Sequence, residues 1–384
     1  MKHNWEYKRL GSLCNIVRGG SPRPIQDYLT DSEDGLNWIK IGDVAVGSKY
    51  ITSTKEKIKK EGLSKTRQVF KGDFILSNSM SFGRPYILKI DGCIHDGWLA
   101  IKEVNNNFIP DFLYYYLSSP TTYAIFEKLV KGGVVSNLNS DIVKGIDVPV
   151  PPMEVQERIV AELDKINETI EDCRELLRNL DALAQSLFYD IFGDPITNPK
   201  GWQTQVLSEI APQHPYKGKF SVDDDLWLLN LDMIEKNTGR IINRHKVKYE
   251  DIGNSVYKIG PNQVLYSKLR PNLNKVVIAD DFGYCTSELL PLNPHKGLLN
   301  CQYLAYLLRT KECVTLFSGK VAGAKMPRTD LKTFRTFQIP IPPFELQEKF
   351  SVRIEQIEAE KKHVEATIAE LQTLLASRMD YWFN

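Results

Sequence analysis

The sequence predicts an α+β protein in which two mixed α/β globules, arranged as a tandem duplication, are separated by two long helices that form an antiparallel coiled coil. Three observations predict this fold class: an internal repeat, a 3.5-residue apolar period after each globule, and an alternation of basic and acidic segments. At 384 residues, the chain is also too long for a single hydrophobic core.

The internal repeat is clearest at a proline-rich string. Val148-Pro149-Val150-Pro151-Pro152 returns as Ile339-Pro340-Ile341-Pro342-Pro343, and Gln156 returns as Gln347, 191 positions later. Three more pairs of strings match at nearly the same offset: Trp38–Val44 with Trp227–Met233, Asp73–Ser77 with Gln263–Ser267, and Phe112–Leu117 with Tyr303–Leu308. Matches spread over most of the chain indicate a tandem duplication with a unit of about 190 residues.

The globules are predicted at residues 1–150 and 193–343. Both mix short apolar runs with Gly, Pro, Asn and Asp, which is typical of mixed α/β domains. Residues 151–192 and 344–384 lose that punctuation and are predicted to be helical. The Pro-Pro pair before each helix suits a helix start, because proline lacks an N–H that the first turn would leave unpaired.

Apolar residues in the two helices recur in steps of three and four. The first series is Ile159, Leu163, Ile166, Ile170, Cys173, Leu177, Leu180, Ala184, Leu187 and Ile191. The second is Phe350, Ile354, Ile357, Lys361, Val364, Ile368, Leu371 and Leu375, with one lysine in the apolar phase. The two helices could each pack separately on their own globule. Pairing with each other is favoured, because a 3.5-residue period over four heptads is typical of a coiled-coil seam and the intervening globule allows the second helix to return antiparallel.

Charge differs from segment to segment although the whole chain carries only +1. The globules carry net charges of +4 and +6, and the helices that follow them carry −6 and −3. The overall value argues against coating nucleic acid by charge alone, but basic globules suit a polyanionic ligand. The frequency of Glu in helices would explain the acidic segments and leaves the basic globules unexplained.

Candidate DNA-contacting residues lie mainly in Gly- and Pro-rich loops at equivalent places in the two repeats. The loops are residues 77–85 and 267–272, which follow strand-like runs, and residues 132–139 and 319–328. Arg and Lys pair with guanine, Asn with adenine, and Ser with several base edges. The predicted contacts are Lys40, Ser79, Arg84, Asn137, Asn139, Lys268, Arg270, Lys325 and Arg328. Because the frameworks match and these loops differ, we expect two readers of different sequences.

Catalytic motifs are missing from the sequence. Val150-Pro151-Pro152-Met153 lacks the polar first residue of an adenine methyltransferase loop, and Gly47-Ser48-Lys49 has the wrong order for a P-loop. We therefore predict no catalytic residue, and no metal site, because the six histidines are scattered. The six cysteines form no CxxC, and neither a secretory segment nor an apolar run of membrane-spanning length is evident. We expect a cytoplasmic protein with no membrane partner.

These strings resemble the DNA-specificity subunit of type I restriction–modification systems. The resemblance rests on the two proline-rich strings with Gln156 and Gln347, on Lys71–Ser77, and on Leu187–Pro195 at the end of the first helix. It spans essentially the whole chain.

The resemblance implies that residues 1–150 and 193–343 are target-recognition domains, each reading one half of a split site in double-stranded DNA. The long helices would set the spacing and dock two methyltransferase subunits, and motor–nuclease subunits would join for cleavage. S-adenosylmethionine, ATP and Mg²⁺ would be used by these partners, with no cofactor in this chain. The expected spacer and docking residues are Gln156, Leu163, Ile170, Leu177, Gln347, Ile354, Ile368 and Leu375.

Two other functions are compatible with parts of the pattern. An enzyme that acts on DNA alone would need a catalytic motif that the sequence does not display. A stand-alone coiled-coil scaffold with protein-binding globules would show no salt-dependent affinity for DNA, even with a partner methyltransferase present.

Overall fold

The computed structural model describes residues 4–44, 47–79, 82–103, 106–131, 137–221, 226–248, 250, 252–253, 255–319 and 326–384. The chain divides into two compact units. Unit 1 comprises Met1–Asp172 and Thr367–Asn384, and unit 2 comprises Cys173–Ala366. Among the described residues, no helix is both long and apolar enough to cross a bilayer.

Unit 1 contains twelve strands among its described residues. They are β1 (Glu6–Arg9), β2 (Cys14–Arg18), β3 (Leu29–Thr30), β4 (Leu36–Ile39), β5 (Tyr50–Ile51), β6 (Glu56–Ile58), β7 (Arg67–Val69), β8 (Phe74–Ser77), β9 (Pro85–Leu88), β10 (Gly92–Ile94), β11 (Trp98–Glu103) and β12 (Asp147–Val150). They form sheets in the orders β2-β11-β8-β9-β5 and β3-β6-β4-β10-β7, and a two-stranded β1-β12 pair. The strand β8 is buried along its whole length, as expected for its apolar sequence in a sheet centre.

The helices of unit 1 are α1 (Leu10–Leu13), α2 (Pro110–Ser118), α3 (Pro120–Lys131), α4 (Ser140–Lys144) and the first part of α5 (Met153–Phe192). Their apolar faces bury a core with the sheet that contains β8, to which the C-terminal Met379, Trp382 and Phe383 also contribute. Proline at the first position of α2 and α3 suits a helix start because its missing N–H needs no partner there.

Unit 2 contains nine strands among its described residues. They are β13 (Thr204–Val206), β14 (Leu226–Leu229), β15 (His245–Val247), β16 (Val256–Ile259), β17 (Val264–Ser267), β18 (Val276–Ile278), β19 (Gly283–Thr286), β20 (Leu289–Leu292) and β21 (Gln338–Pro340). Its helices are α6 (Leu207–Ile210), α7 (Cys301–Arg309), α8 (Lys311–Ser318), α9 (Leu331–Arg335) and, with the last part of α5, the first part of α10 (Phe344–Phe383). The sheet orders are β15-β14-β19-β16, β18-β17-β20 and β13-β21.

The duplication predicted from the sequence is confirmed by strand pairs that recur in both units. The parallel pair β4–β10 of unit 1 corresponds to the parallel pair β14–β19 of unit 2, and antiparallel β8–β11 corresponds to β17–β20. The predicted strand-like runs after Asp73 and Gln263 are β8 and β17. The mixed α/β class is therefore correct for both units.

The predicted long helices are present as α5 and α10, each with 40 residues. Within unit 2, Phe188 and Phe192 of α5 contact Phe350 of α10, and Asp181 pairs with Lys361 at 2.6 Å. The later residue of α5, Phe188, contacts the earlier residue of α10, Phe350, while the earlier Asp181 pairs with the later Lys361. The two helices are therefore antiparallel in this unit. Within unit 1, Glu162 of α5 pairs with Arg378 of α10.

Candidate nucleic-acid interface

In unit 1, the two predicted contact loops meet at a turn of the β10–β11 connection. The N–H of Asn78 donates to the carbonyl of Gly97, and the N–H of Leu138 donates to the carbonyl of Asn78, both at 2.9 Å. The side chain of Asn78 also donates to the carbonyl of Asp96 at 2.9 Å. These hydrogen bonds thus hold together three segments that are distant in sequence.

Unit 2 repeats this backbone arrangement with other side chains. The N–H of Lys268 donates to the carbonyl of Glu288 at 3.0 Å, and the N–H of Thr329 donates to the carbonyl of Lys268 at 2.8 Å. A β-bridge joins Leu269 to Arg328. At these equivalent places unit 1 has Asn78, Gly97 and Leu138, which are buried. Unit 2 has Lys268 and Glu288, which are half-buried, and Thr329, which is buried. We call each group of three segments the loop surface of its unit.

The predicted contacts of unit 1 differ in how far they are available to a ligand. Arg84 and Asn137 are exposed and Ser79 is half-buried. The Oδ1 of Asn139 accepts a hydrogen bond from the N–H of Ile142 at 2.9 Å and so caps α4. Asp330, the equivalent residue of unit 2, caps α9 in the same way. Both repeats therefore use this position as a helix N-cap. Any base contact by Asn139 is left to its Nδ2.

Lys40 lies away from the loops, on a cavity of about 780 Å³ that is also lined by Trp38, Glu56, His95 and Asp96. Its Nζ pairs with Glu56 at 2.5 Å, and its side chain is one-third exposed. The turn that carries His95 and Asp96 also bonds Asn78, so the cavity adjoins the loop surface of unit 1.

Asp96 is an acidic residue among basic ones at this surface. Its carboxylate accepts a hydrogen bond from Ser21 at 2.8 Å and lies 3.5 Å from Arg23, and its carbonyl accepts from Arg18. Burial acts to raise the pKa of Asp96, but the Ser21 hydrogen bond, a backbone hydrogen bond and the nearby Arg18 outweigh it and leave the pKa below its usual value. Burial lowers the pKa of the adjacent His95, which favours a neutral imidazole at pH 7.

Two of the predicted contacts of unit 2, Arg328 and Lys268, lie beside Glu288. Arg328 donates to its carboxylate through Nη2 at 2.9 Å and Nε at 3.3 Å, and the Nζ of Lys268 lies 3.9 Å away. The hydrogen bond from Arg328 lowers the pKa of Glu288. Arg270 is exposed, has a left-handed backbone with φ of 49°, and bonds Pro327 through its N–H. The remaining prediction, Lys325, lies outside the described residues.

Sequence reasoning gave no role at the interface to the two acidic residues, Asp96 and Glu288. A search for cations and amides passes over carboxylates, and nothing near residue 288 in the sequence indicates that the chain returns to it at Lys268 and Arg328. The one available signal was the repeat, in which Glu288 of the second unit is aligned with Gly97 of the first. In unit 1 a side chain at position 97 would collide with the ring of His95.

The structure buries most of the residues predicted for spacing and docking. Gln156 accepts from the N–H of Ile109 and donates to the carbonyls of Asn107 and Pro151, and Gln347 makes the same contacts with Asn300, Leu298 and Pro342. The buried side chains are Gln156, Leu163, Ile170, Gln347 and Ile354, whereas Leu177, Ile368 and Leu375 are half-buried. The buried five do not present a surface to a partner subunit. The contacts of Gln156 and Leu163 tie the start of α5 to unit 1. Those of Gln347 and Ile354 tie the start of α10 to unit 2.

Among the described residues, no group of three or more His, Cys, Asp or Glu side chains is arranged to hold a metal ion.

The family model described as the type I restriction modification DNA specificity domain matches residues 2–180 and 199–373. The two matched segments cover most of both repeats and the larger part of each long helix. The chain belongs to this type I DNA-specificity family.

Curated members of the specificity family resemble the chain at low identity. A putative type I restriction enzyme MjaX specificity subunit of Methanocaldococcus jannaschii is 21% identical over 97% of this chain and 92% of its own length. The MjaIX specificity subunit of the same organism is 23% identical over 54% of this chain, and the EcoDI specificity subunit of Escherichia coli is 25% identical over 38%. The chain spans 51% and 33% of the lengths of these last two relatives.

Solved structures support the same fold for this specificity-family chain. One similar chain comes from a structure described as the structural basis underlying complex assembly and conformational transition of the type I R-M system. It has a TM-score of 0.58 and 20% identity, and the match covers 99% of this chain and 97% of that chain. The S subunit of a type I restriction–modification system from M. genitalium has a TM-score of 0.51 and 13% identity, covering 98% of this chain and 95% of its own.

Proposed function

We propose that this chain is the DNA-specificity subunit of a type I restriction–modification complex, in which each unit reads one half of a bipartite site in double-stranded DNA. The observation that carries the proposal is the repeated loop surface. Asn78, Gly97 and Leu138 are replaced by Lys268, Glu288 and Thr329 on the same backbone hydrogen-bond pattern. The exposed residue next to this framework also differs, being Asn137 in unit 1 and Arg328 in unit 2. A shared framework with different side chains suits two readers of two different half-sites.

The target-recognition domains are residues 1–150 and 193–343, and residues 151–192 and 344–384 are the spacer. We propose that α5 and α10 pair along their whole length as an antiparallel coiled coil. The pairs Glu162–Arg378 and Asp181–Lys361 support this, because both fit one antiparallel register to within two residues. A 40-residue helix is about 60 Å long, which suits a ruler between half-sites.

The chemistry belongs to partners in this proposal. Two methyltransferase subunits dock on the helices and methylate adenine with S-adenosylmethionine, and motor–nuclease subunits use ATP and Mg²⁺ for restriction. This chain supplies DNA recognition without catalysis, in the cytoplasm. Since Gln156, Leu163, Ile170, Gln347 and Ile354 are buried, docking falls to the exposed side chains of the helices, which include Leu176 and Leu183 one heptad apart on α5.

The deciding experiment is a genome-wide map of N6-methyladenine, with and without this gene, in cells that express the neighbouring methyltransferase. We expect deletion to abolish methylation at one split motif, which would supply both half-sites. An unchanged map with an expressed methyltransferase would contradict the proposal. A pull-down of the methyltransferase would then test the stand-alone scaffold instead.

A further inference from the structure

The Glu288–Arg328 pair is a two-point contact at the loop surface of unit 2. Arg328 offers Nη2 and Nε to the two carboxylate oxygens at 2.9 and 3.3 Å. The side chain of Glu288 is 23% exposed and that of Arg328 is 54% exposed, so the carboxylate forms the base of the pair and the guanidinium its outer part. Such a side-on ion pair fixes the plane of the guanidinium.

This geometry leaves the end of the guanidinium available. Its five N–H groups lie in a fixed fork, and the contact with Glu288 uses Nε and one hydrogen of Nη2. Within the described part of the chain, no residue hydrogen-bonds Nη1. The free edge, formed by Nη1 and the second Nη2 hydrogen, is the edge with which arginine binds guanine O6 and N7 in the major groove.

A carboxylate at this place would weaken the binding of a surface whose only contacts were with DNA phosphates. Glu288 lies 3.9 Å from Lys268 as well as beside Arg328, so it offsets part of the positive charge that a polyanion would meet. If the carboxylate aligns an arginine that reads a base, the specificity gained offsets the loss of positive charge.

The backbone around the pair is fixed on both sides. The N–H of Lys268 donates to the carbonyl of Glu288, and the β-bridge between Leu269 and Arg328 holds the third segment. In unit 1 the place of Glu288 is taken by Gly97, against the ring of His95. The device therefore belongs to one reader and not to the shared framework.

We propose that Glu288 is a positioning residue that holds Arg328 end-on to a guanine in the half-site read by unit 2. Arg328 makes the base contact, and Glu288 determines specificity by restricting its orientation. This inference rests on the proposed function and assigns the base type that one of its side chains reads.

The test uses the full chain in complex with its methyltransferase and the bipartite DNA identified by the methylation map. Each base pair of the site is substituted in turn, and the dissociation constant is measured for wild type, Glu288→Gln, Arg328→Ala and Arg328→Lys. We expect both Arg328 variants to lose roughly 10- to 100-fold of the discrimination at one G·C pair. Glu288→Gln should lose discrimination several-fold at that same pair, because an amide cannot accept both N–H groups.

Asp280→Asn is the matched control, since Asp280 also pairs with an arginine of unit 2, Arg244, at 2.5 Å and lies outside the loop surface. It should leave the base preferences unchanged, and thermal melts should show that every variant is folded. Discrimination retained at every pair by Glu288→Gln would overturn the inference alone. Uniformly weaker binding by Arg328→Ala with a smaller salt dependence would also overturn it, because that is the mark of a phosphate contact. A wild-type complex without sequence preference would overturn the proposed function as well.

Discussion

The side-chain amide of Gln156 is fully buried in unit 1, where it uses both its oxygen and its nitrogen. It accepts from the N–H of Ile109 at 2.9 Å and donates to the carbonyls of Asn107 and Pro151 at 2.8 and 2.9 Å. These partners precede α2 and α5, so one side chain fastens two helix starts together. Gln347 repeats the arrangement in unit 2.

Gln156→Leu should destabilise unit 1 by about 1–3 kcal/mol, because the N–H of Ile109 and two carbonyls would lose their partner inside the protein. Chemical denaturation gives the magnitude, and hydrogen exchange of peptides from each unit shows where the loss occurs. The exposed Gln372→Leu in α10 is the control and should change the stability little. Equal effects of the two substitutions would contradict a structural role for Gln156.

The repeat singled out Gln156 and Gln347 in the sequence, but it did not reveal their structural role. A glutamine after Pro-Pro could face a partner or the interior, and only the fold shows that Asn107 and Leu298 lie within reach. The same holds for Glu288, whose partners are 20 and 40 residues away along the chain. Hydrogen bonds between distant segments leave no local pattern.

At the scale of elements, periodicity located α5 and α10 well because each spans many turns of one repeating pattern. Most of the strands have two to four residues, which is too short for an alternating pattern to stand out. The runs that became β8 and β17 were recognised because both are three apolar or aromatic residues followed by a serine and stand at matching places in the repeat.

Lys361 is the polar residue expected in the helix seam, and the structure buries it in unit 2. Its Nζ pairs with Asp181 of α5 at 2.6 Å and with Glu358 at 3.0 Å, while its side chain is only 5% exposed. Burial acts to lower the pKa of Lys361, but the hydrogen bonds from its two carboxylate partners outweigh it and raise the pKa. The lysine is therefore charged at neutral pH.

The pair should respond asymmetrically to substitution. Lys361→Met removes the buried charge and leaves Asp181 39% exposed to water, so we expect unit 2 to keep or gain stability. Asp181→Leu leaves the buried ammonium with Glu358 alone and should cost roughly 1–3 kcal/mol. Denaturant melts of the two variants measure the difference. Equal destabilisation by both would show that the ion pair itself stabilises the unit.

At the scale of the whole molecule, the division of the chain bears on the proposed ruler. The boundaries of the two compact units fall within the helices, after Asp172 in α5 and after Ala366 in α10. Each helix thus contributes one end to each unit. If α5 and α10 set the distance between the half-sites, residues added at these two points should change that distance without altering either loop surface.

A seven-residue insertion at both points tests this. Seven residues are about two helical turns, so the apolar faces stay in phase while each helix lengthens by about 10 Å. With base pairs about 3.4 Å apart along the duplex, the gap between the half-sites in the methylated motif should grow by about three base pairs. Both half-sites should stay the same, because the loop surfaces are untouched.

Methylation mapping in cells reads out the gap directly, and the same seven residues placed in the exposed turn at Lys296 and Gly297 provide the control. That control should methylate the original motif. An active complex with the double insertion and an unchanged gap would show that the spacing is set elsewhere, by the partner subunits or by bending of the DNA. A changed half-site would instead mean that the helices influence the loop surfaces, since the insertion alters no residue of either one.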